Sequence, residues 1–325
     1  RGEASEHAQA IEAFSAALKA EPESAAALVR RADTIRAWCQ VERRPDPDPG
    51  SQPDARGALS DYQNARDLAP GLIAARVGMA WADCERKRAD DLPYTSQVRL
   101  IATQCNDLDR ILQEAPHAIE ALVDMARARE EIARLHRENK MGSRNPLSSA
   151  VDAYETAIEV GESAELLRMR ATALRQFAFA IRADGESPLP PRQRALADLA
   201  RAIELDPVDA EAWGLRALLR KDVAEDRDPG EQEAVLDFQD ALADATKAIQ
   251  IQPDVSSHYD VRALVARAYG DVLAKVGKAG MAQHEAALLD HAKALELNPT
   301  GVESYRQRAL LQMRLERPDL AVAEC

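Results

Sequence analysis

Ala202-Ile203-Glu204-Leu205-Asp206-Pro207 is one copy of a phrase that decides the fold. It returns as Ala248-Ile249-Gln250-Ile251-Gln252-Pro253 and as Ala294-Leu295-Glu296-Leu297-Asn298-Pro299. Earlier copies are Ala17-Leu18-Lys19-Ala20-Glu21-Pro22 and Ala65-Arg66-Asp67-Leu68-Ala69-Pro70. Ile111 to Pro116 is looser, and in Ala157 to Glu162 a glutamate replaces the proline. The unit ends at 22, 70, 116, 162, 207, 253 and 299 are spaced by 48, 46, 46, 45, 46 and 46 residues. Self-similarity at such a period is the mark of stacked supersecondary units, each burying its apolar face on the next.

Between ends, each unit reads as two helices. Apolar residues recur at three and four, as in Leu196, Leu199 and Ile203, which gives each helix a buried stripe. Prolines punctuate the boundaries. Six of the 17 fill the unit-ending slot, and the other eleven fall between the two helices, where none costs the roughly 3 kcal/mol of a mid-helix proline. Gly277 and Gly280 mark the one internal turn without proline. Aromatics are only 4% of the chain, so the core must be built from Ala, Leu, Ile and Val. The expected class is all-α: a right-handed superhelical solenoid of antiparallel helix pairs, a single array over residues 1–325 with a truncated last unit. A solenoid core grows along one axis, so this length does not force a division into domains.

Small residues recur in register. Twelve before the unit ends stand Ala10, Ala58, Gln104, Ala150, Ala195, Ala241 and Ala287; five before stand Ala17, Ala65, Ile111, Ala157, Ala202, Ala248 and Ala294. Between them, at eight before, lie Phe14, Tyr62, Leu108, Tyr154, Leu199, Ala245 and His291, and ten after the ends come Ala32, Ala80, Ala126, Thr172, Ala217, Ala263 and Ala309. This small–aromatic–small–proline order resembles the tetratricopeptide repeat (TPR). The units are longer than the usual 34 residues by about 12. A period near 46 also lies in the HEAT and armadillo range. Against those, Ala287 to Ala321 spans 34 residues, Pro299-x5-Tyr305-x3-Ala309 keeps TPR spacing, and no proline sits within a first helix. The extra residues form a Pro- and Asp-rich loop at Arg43–Arg56 and are expected to lengthen the helices around Ser96–Ala115 and Gln232–Ile251. Six residues added to each helix would heighten a hairpin by about 9 Å.

The net charge of −13 lacks the basic footprint that nucleic acid or an anionic membrane requires, and no run of apolar residues is long enough for a membrane span. Cys39, Cys84, Cys105 and Cys325 show no CxxC spacing and are expected to be reduced, which points to the cytoplasm. The ends, Arg1 before one helix and Cys325 inside another, suggest a piece of a longer chain. No phosphate loop, GxGxxG, HExxH or GxSxG occurs, so neither catalysis nor a cofactor or metal is expected. His284, Asp290 and His291 share a helix, but His291 stands in the aromatic slot and reads as a packed residue. The pairs Asp90-Asp91 and Glu130-Glu131 read as solvated charge.

Resemblance to TPR arrays implies a protein-interaction scaffold whose first helices line a groove for a partner segment. The residues carried over to the groove are Asp33, Arg36, Trp81, Arg127, Leu218, Lys221, Leu264, Arg267 and Leu310. The Lys/Asn clamp for carboxylate tails is absent, so a chaperone-type C-terminal ligand is not expected. Leu218, Leu264 and Leu310 form an apolar row with Lys221 and Arg267 beside it, suited to an amphipathic, partly acidic segment. Arg31, Arg216, Arg262 and Arg308, each just before a small residue, are expected to pair with acids of the adjacent second helix. Two other readings stand beside the scaffold. The phrases Tyr-x-x-Arg-Ala and Ala-Ile-x-Leu-x-Pro look like the repeat tails of large bacterial serine/threonine kinases, where the array would recruit substrates or regulate the enzyme. End units without polar caps also suit self-association.

Overall fold

The computed structural model describes residues 2–41, 55–88, 92–228, 231–277 and 280–315. Most of the loop at 43–56, together with Asp90-Asp91, Pro229, Pro318, Ala321 and Cys325, lies outside them. Among the described residues there are fourteen helices and no strand. The second-type helices, which end in the repeated phrase, are α1 (Gly2–Ala20), α3 (Ala55–Leu68), α5 (Tyr94–Glu114), α7 (Arg144–Val160), α9 (Leu189–Leu205), α11 (Gln232–Ile251) and α13 (Met281–Leu297). First-type helices alternate with them: α2 (Ala25–Val41), α4 (Ile73–Lys87), α6 (Ile119–Glu138), α8 (Ala164–Ala183), α10 (Ala210–Asp226), α12 (Ser256–Lys275) and α14 (Val302–Arg314). Among the described residues the architecture is all-α, with consecutive helices packed in antiparallel pairs. The extra length is helical where it is described: α5 has 21 residues, and α6, α8, α11 and α12 have 20 each.

The unit-ending proline acts through the residue before it, because the proline ring excludes that residue from helical backbone. Ala115, Asp206, Gln252 and Asn298 therefore take φ near −135° and ψ near 80°. Each still donates its N–H to the carbonyl of the alanine-slot residue four back, at 2.8–3.0 Å. The next helix begins within a few residues, capped at Asp209 by a carboxylate accepting from the Ala212 N–H at 3.1 Å.

The chain divides into two compact units, Arg1–Gly161 and Glu162–Cys325. The division falls at the one unit end that lacks proline. Gly161 donates to the Ala157 carbonyl at 3.0 Å, and Ser163 already caps α8 by accepting from Leu166 N–H at 3.2 Å. This turn is one residue shorter than its counterpart at 206–209, so every later position of α8 comes one residue early. The buried small residue is accordingly Ala171 and not the aligned Thr172, which is half-buried.

In each unit most of the recurring small residues are contact points; in α1, which has no helix pair before it among the described residues, Ala10 is half-buried and Ala17 is exposed. Ala58, Ala65, Ala150 and Ala157 in the first and Ala195, Ala202, Ala241, Ala248 and Ala287 in the second are fully buried. Tyr62, Tyr154, Leu199 and His291 fill the space between the alanines, as Leu108 does between Gln104 and Ile111, and full burial of a leucine at this slot stabilises by about 1.5–3 kcal/mol. Pro146, Pro190 and Pro191 fall in the first turns of α7 and α9, where the missing N–H has no helical partner to lose. Gly78 is there for a different reason. A Cβ at that position would lie 2.3 Å from ring atoms of Tyr62, so the aromatic slot of α3 is filled only because α4 carries no side chain opposite it.

Candidate functional site

The arginine before the small residue builds a repeated brace. Arg31 donates Nε and Nη2 to the two oxygens of Asp61, at 2.7 and 2.6 Å. Arg170 does the same to Asp198 (2.8 and 2.6 Å), Arg216 to Asp244 (2.8 and 2.7 Å) and Arg262 to Asp290 (2.8 and 2.6 Å). The planar fork of guanidinium matches both carboxylate oxygens, and these aspartates are nearly buried, so the geometry counts for far more than an exposed pair. Each acid stands nine residues before a unit end, a regularity present in the sequence beside the arginine slot. Arg170 escaped the arginine pattern because of the short turn before it.

In the first unit three successive first-type helices converge on a recess of about 340 Å³. Arg36 of α2 donates to Asp124 of α6, and its guanidinium carbon stands 5.1 Å from the ring centroid of Trp81 on α4. Trp81 is itself buried, with Cys84, Ile101 and Gln104 beside it. Arg127 reaches the same recess, is exposed, and forms no ion pair among the described residues. Arg36, Trp81 and Arg127 are thus brought together. Asp33 is an exposed carboxylate outside the recess and accepts from the Tyr62 hydroxyl at 2.7 Å. Burial, then the neighbouring Asp33 charge, pushes the Tyr62 phenol far up its range.

Glu131 lines the recess, and its neighbour Glu130 is held by a partner of its own. Glu131 is bound by Arg134 and Arg88; burial by itself would raise its pKa, but those hydrogen bonds outweigh burial and take it to about 2. Glu130 accepts from the Tyr154 hydroxyl at 2.9 Å, and burial raises its pKa. The pair expected as solvated charge is therefore built into side-chain networks, each with a partner on an element distant in sequence. Cys84 is free, and burial, with Glu85 second, pushes its thiol up to about 11.

The other predicted residues lie in the second unit, one helix apart. Leu218 on α10 and Leu264 on α12 are half-buried, while Leu310 on α14 is 46% exposed. Lys221 contacts Asp222 and Glu225 at 2.8 Å each, and Arg267 contacts Asp271 at 3.3 Å. His291 is buried with Nδ1 2.8 Å from Asp260 Oδ1, and Ser304 donates to the same oxygen at 2.8 Å. Among the described residues no group of three metal-ligating side chains occurs, and no helix is long and apolar enough to cross a membrane.

No family model matches the chain, and no curated protein matches it. Solved structures similar to it are TPR and MamA proteins. TTC0263, a thermophilic TPR protein of Thermus thermophilus, is 16% identical, with 67% of this chain and 94% of that one covered and a TM-score of 0.42. MamA from residue 41 to its end, from Desulfovibrio magneticus RS-1, is 15% identical over 62% and 91% with a TM-score of 0.37. YrrB, a TPR protein with an unusual peptide-binding site, is 16% identical over 91% and 97% with a TM-score of 0.33. At scores this low the likeness carries no argument about function, and the all-α reading stands on the helices described above.

Proposed function

We propose that this chain is a non-catalytic interaction scaffold that holds a segment of a partner protein against its first-type helices. The observation that carries this reading is the convergence of α2, α4 and α6 on one recess. There Arg36 is stacked on Trp81, and Arg127 lacks an ion-pair partner of its own. An acidic side chain of the partner pairs with Arg127, and an adjoining apolar side chain takes the space beside Trp81. Leu218, Leu264 and Leu310 extend an apolar surface in the second unit; Lys221 and Arg267 are held by acids of their own helices and set its margin. Recruitment within a larger signalling enzyme is a second reading, and it rests on the repeat phrasing alone.

A photoreactive residue placed at Arg127 in the full chain tests the scaffold. Crosslinking should yield a defined partner, and Arg127→Glu should weaken its binding about ten-fold, or about 1.4 kcal/mol, without changing the melting temperature. A partner bound equally well by Arg127→Glu and by Leu310→Asp would refute the assignment of both surfaces.

A further inference from the structure

The braces show where the repeat is broken. In the first hairpin Arg31 reaches beyond Asp61 and donates Nη1 to Ser15 on α1 at 3.1 Å, so one guanidinium ties two second-type helices together over α2. Arg262 does the same between Asp290 on α13 and Thr246 on α11, at 3.4 Å. The equivalent positions around α4 are Met79, Asp107 and Gln63. The acid is kept and the arginine is gone. Asp107 accepts instead from Arg110, three residues along its own helix, at 3.1 Å. Where the guanidinium would lie, a recess of about 460 Å³ opens between α3, α4 and α5. It is on a different face of α4 from Trp81 and Cys84.

The recess has an apolar floor, which includes Met79 and Ile111, and four arginines at its edge: Arg66, Arg76, Arg86 and Arg110. Only two carboxylates, Asp83 and Asp107, line it with them. Each arginine holds one carboxylate at 2.6–3.1 Å, in pairs exposed enough to exchange with an incoming anion at little cost. Guanidinium carries five N–H donors, so each keeps donors to spare. Such a concentration of arginine stands out in a chain of net charge −13.

We infer that this recess is a second docking site, independent of the groove, for an acidic peptide segment with one apolar side chain among its carboxylates. The carboxylates pair with the rim arginines and the apolar side chain lies on the floor at Met79. The missing brace arginine is what makes the room.

The test uses fluorescence anisotropy on the full chain with a labelled heptapeptide, a central leucine flanked by glutamates and aspartates. Met79→Arg restores the brace that other repeats already contain, so it should fold with an equal or higher melting temperature and bind the peptide at least about ten-fold more weakly. Arg76→Glu with Arg86→Glu should do likewise, and Lys293→Glu, a like charge change on an exposed side chain of α13, should leave binding unchanged. The inference is overturned if the native chain does not bind below roughly 1 mM, or if Met79→Arg binds equally well. Loss of binding in Arg127→Glu alone would also overturn it, as would equal binding of a peptide with serine for leucine, of inorganic phosphate or of an oligonucleotide.

Discussion

Gly78→Ala is a one-methyl change whose effect follows from a single distance. The added Cβ would stand 2.3 Å from the Tyr62 ring, where an ordinary contact needs more than an ångström extra. Tyr62 has no room to retreat. It is fully buried, and its hydroxyl is tied to Asp33 at 2.7 Å. Overpacking of this kind costs about 1–3 kcal/mol, and stretching the hydrogen bond to a carboxylate adds about 1 kcal/mol. Alanine recovers about 1 kcal/mol through helix propensity, leaving a net loss of about 2 kcal/mol. For a unit of this size that lowers the melting temperature by about 4–8 °C, readable by circular dichroism. Tyr62→Leu, which installs the residue type found at Leu108 and Leu199, should cancel most of the penalty in the double variant. A Gly78→Ala protein as stable as the parent, or a double variant with strictly additive losses, would refute the account of this contact.

Three other expectations concern the array itself. Ala202→Leu or Ala248→Leu should each cost about 1–3 kcal/mol in urea unfolding, because both sites are closed helix contacts; an unchanged midpoint would mean that the register is wrong. Arg170→Ala should cost about 3 kcal/mol by stranding the nearly buried Asp198, whereas Arg66→Ala, on an exposed pair, should stay within about 0.5 kcal/mol. For acid unfolding, Glu131 has a pKa lowered from 4.5 to about 2, so its contribution is present above pH 4.5 and is lost as pH falls through 2. Glu131→Gln should therefore lower stability at pH 7 and flatten the acid limb between those values; an acid limb of unchanged slope would count against the Arg88–Glu131–Arg134 network.

The units, their boundaries and their contact alanines were legible because period and proline act locally, through backbone preferences that no distant contact overrides. The brace was half legible. Its arginines stand out beside the small residues, but an aspartate nine before a unit end acquires meaning only when two helices are folded together. Thr172 was misplaced because one deleted turn residue shifts a helix without disturbing its pattern. Glu130 and Glu131 look like surface charge along their own helix, and their partners Tyr154 and Arg88 come from elements on either side. Arg36 and Trp81 were named for their slots, yet Asp124, which anchors Arg36 across 88 residues of sequence, carries no local signal.

The braces also bear on how such a chain changes length over generations. Arg170, Arg216 and Arg262 are each 46 residues apart, and the aspartate of each lies 28 further on, inside the same hairpin. Copying or deleting one such 46-residue block leaves each of these three arginines with an aspartate and each of the three aspartates with an arginine. A cut that separates an arginine from the aspartate of its own hairpin strands one of them in the interior, whereas a change in loop or turn length does not: Arg31 and Asp61 stay paired across 30 residues. Whole-repeat duplication is thus electrically silent at these braces, because each hairpin carries both halves of its own ion pair.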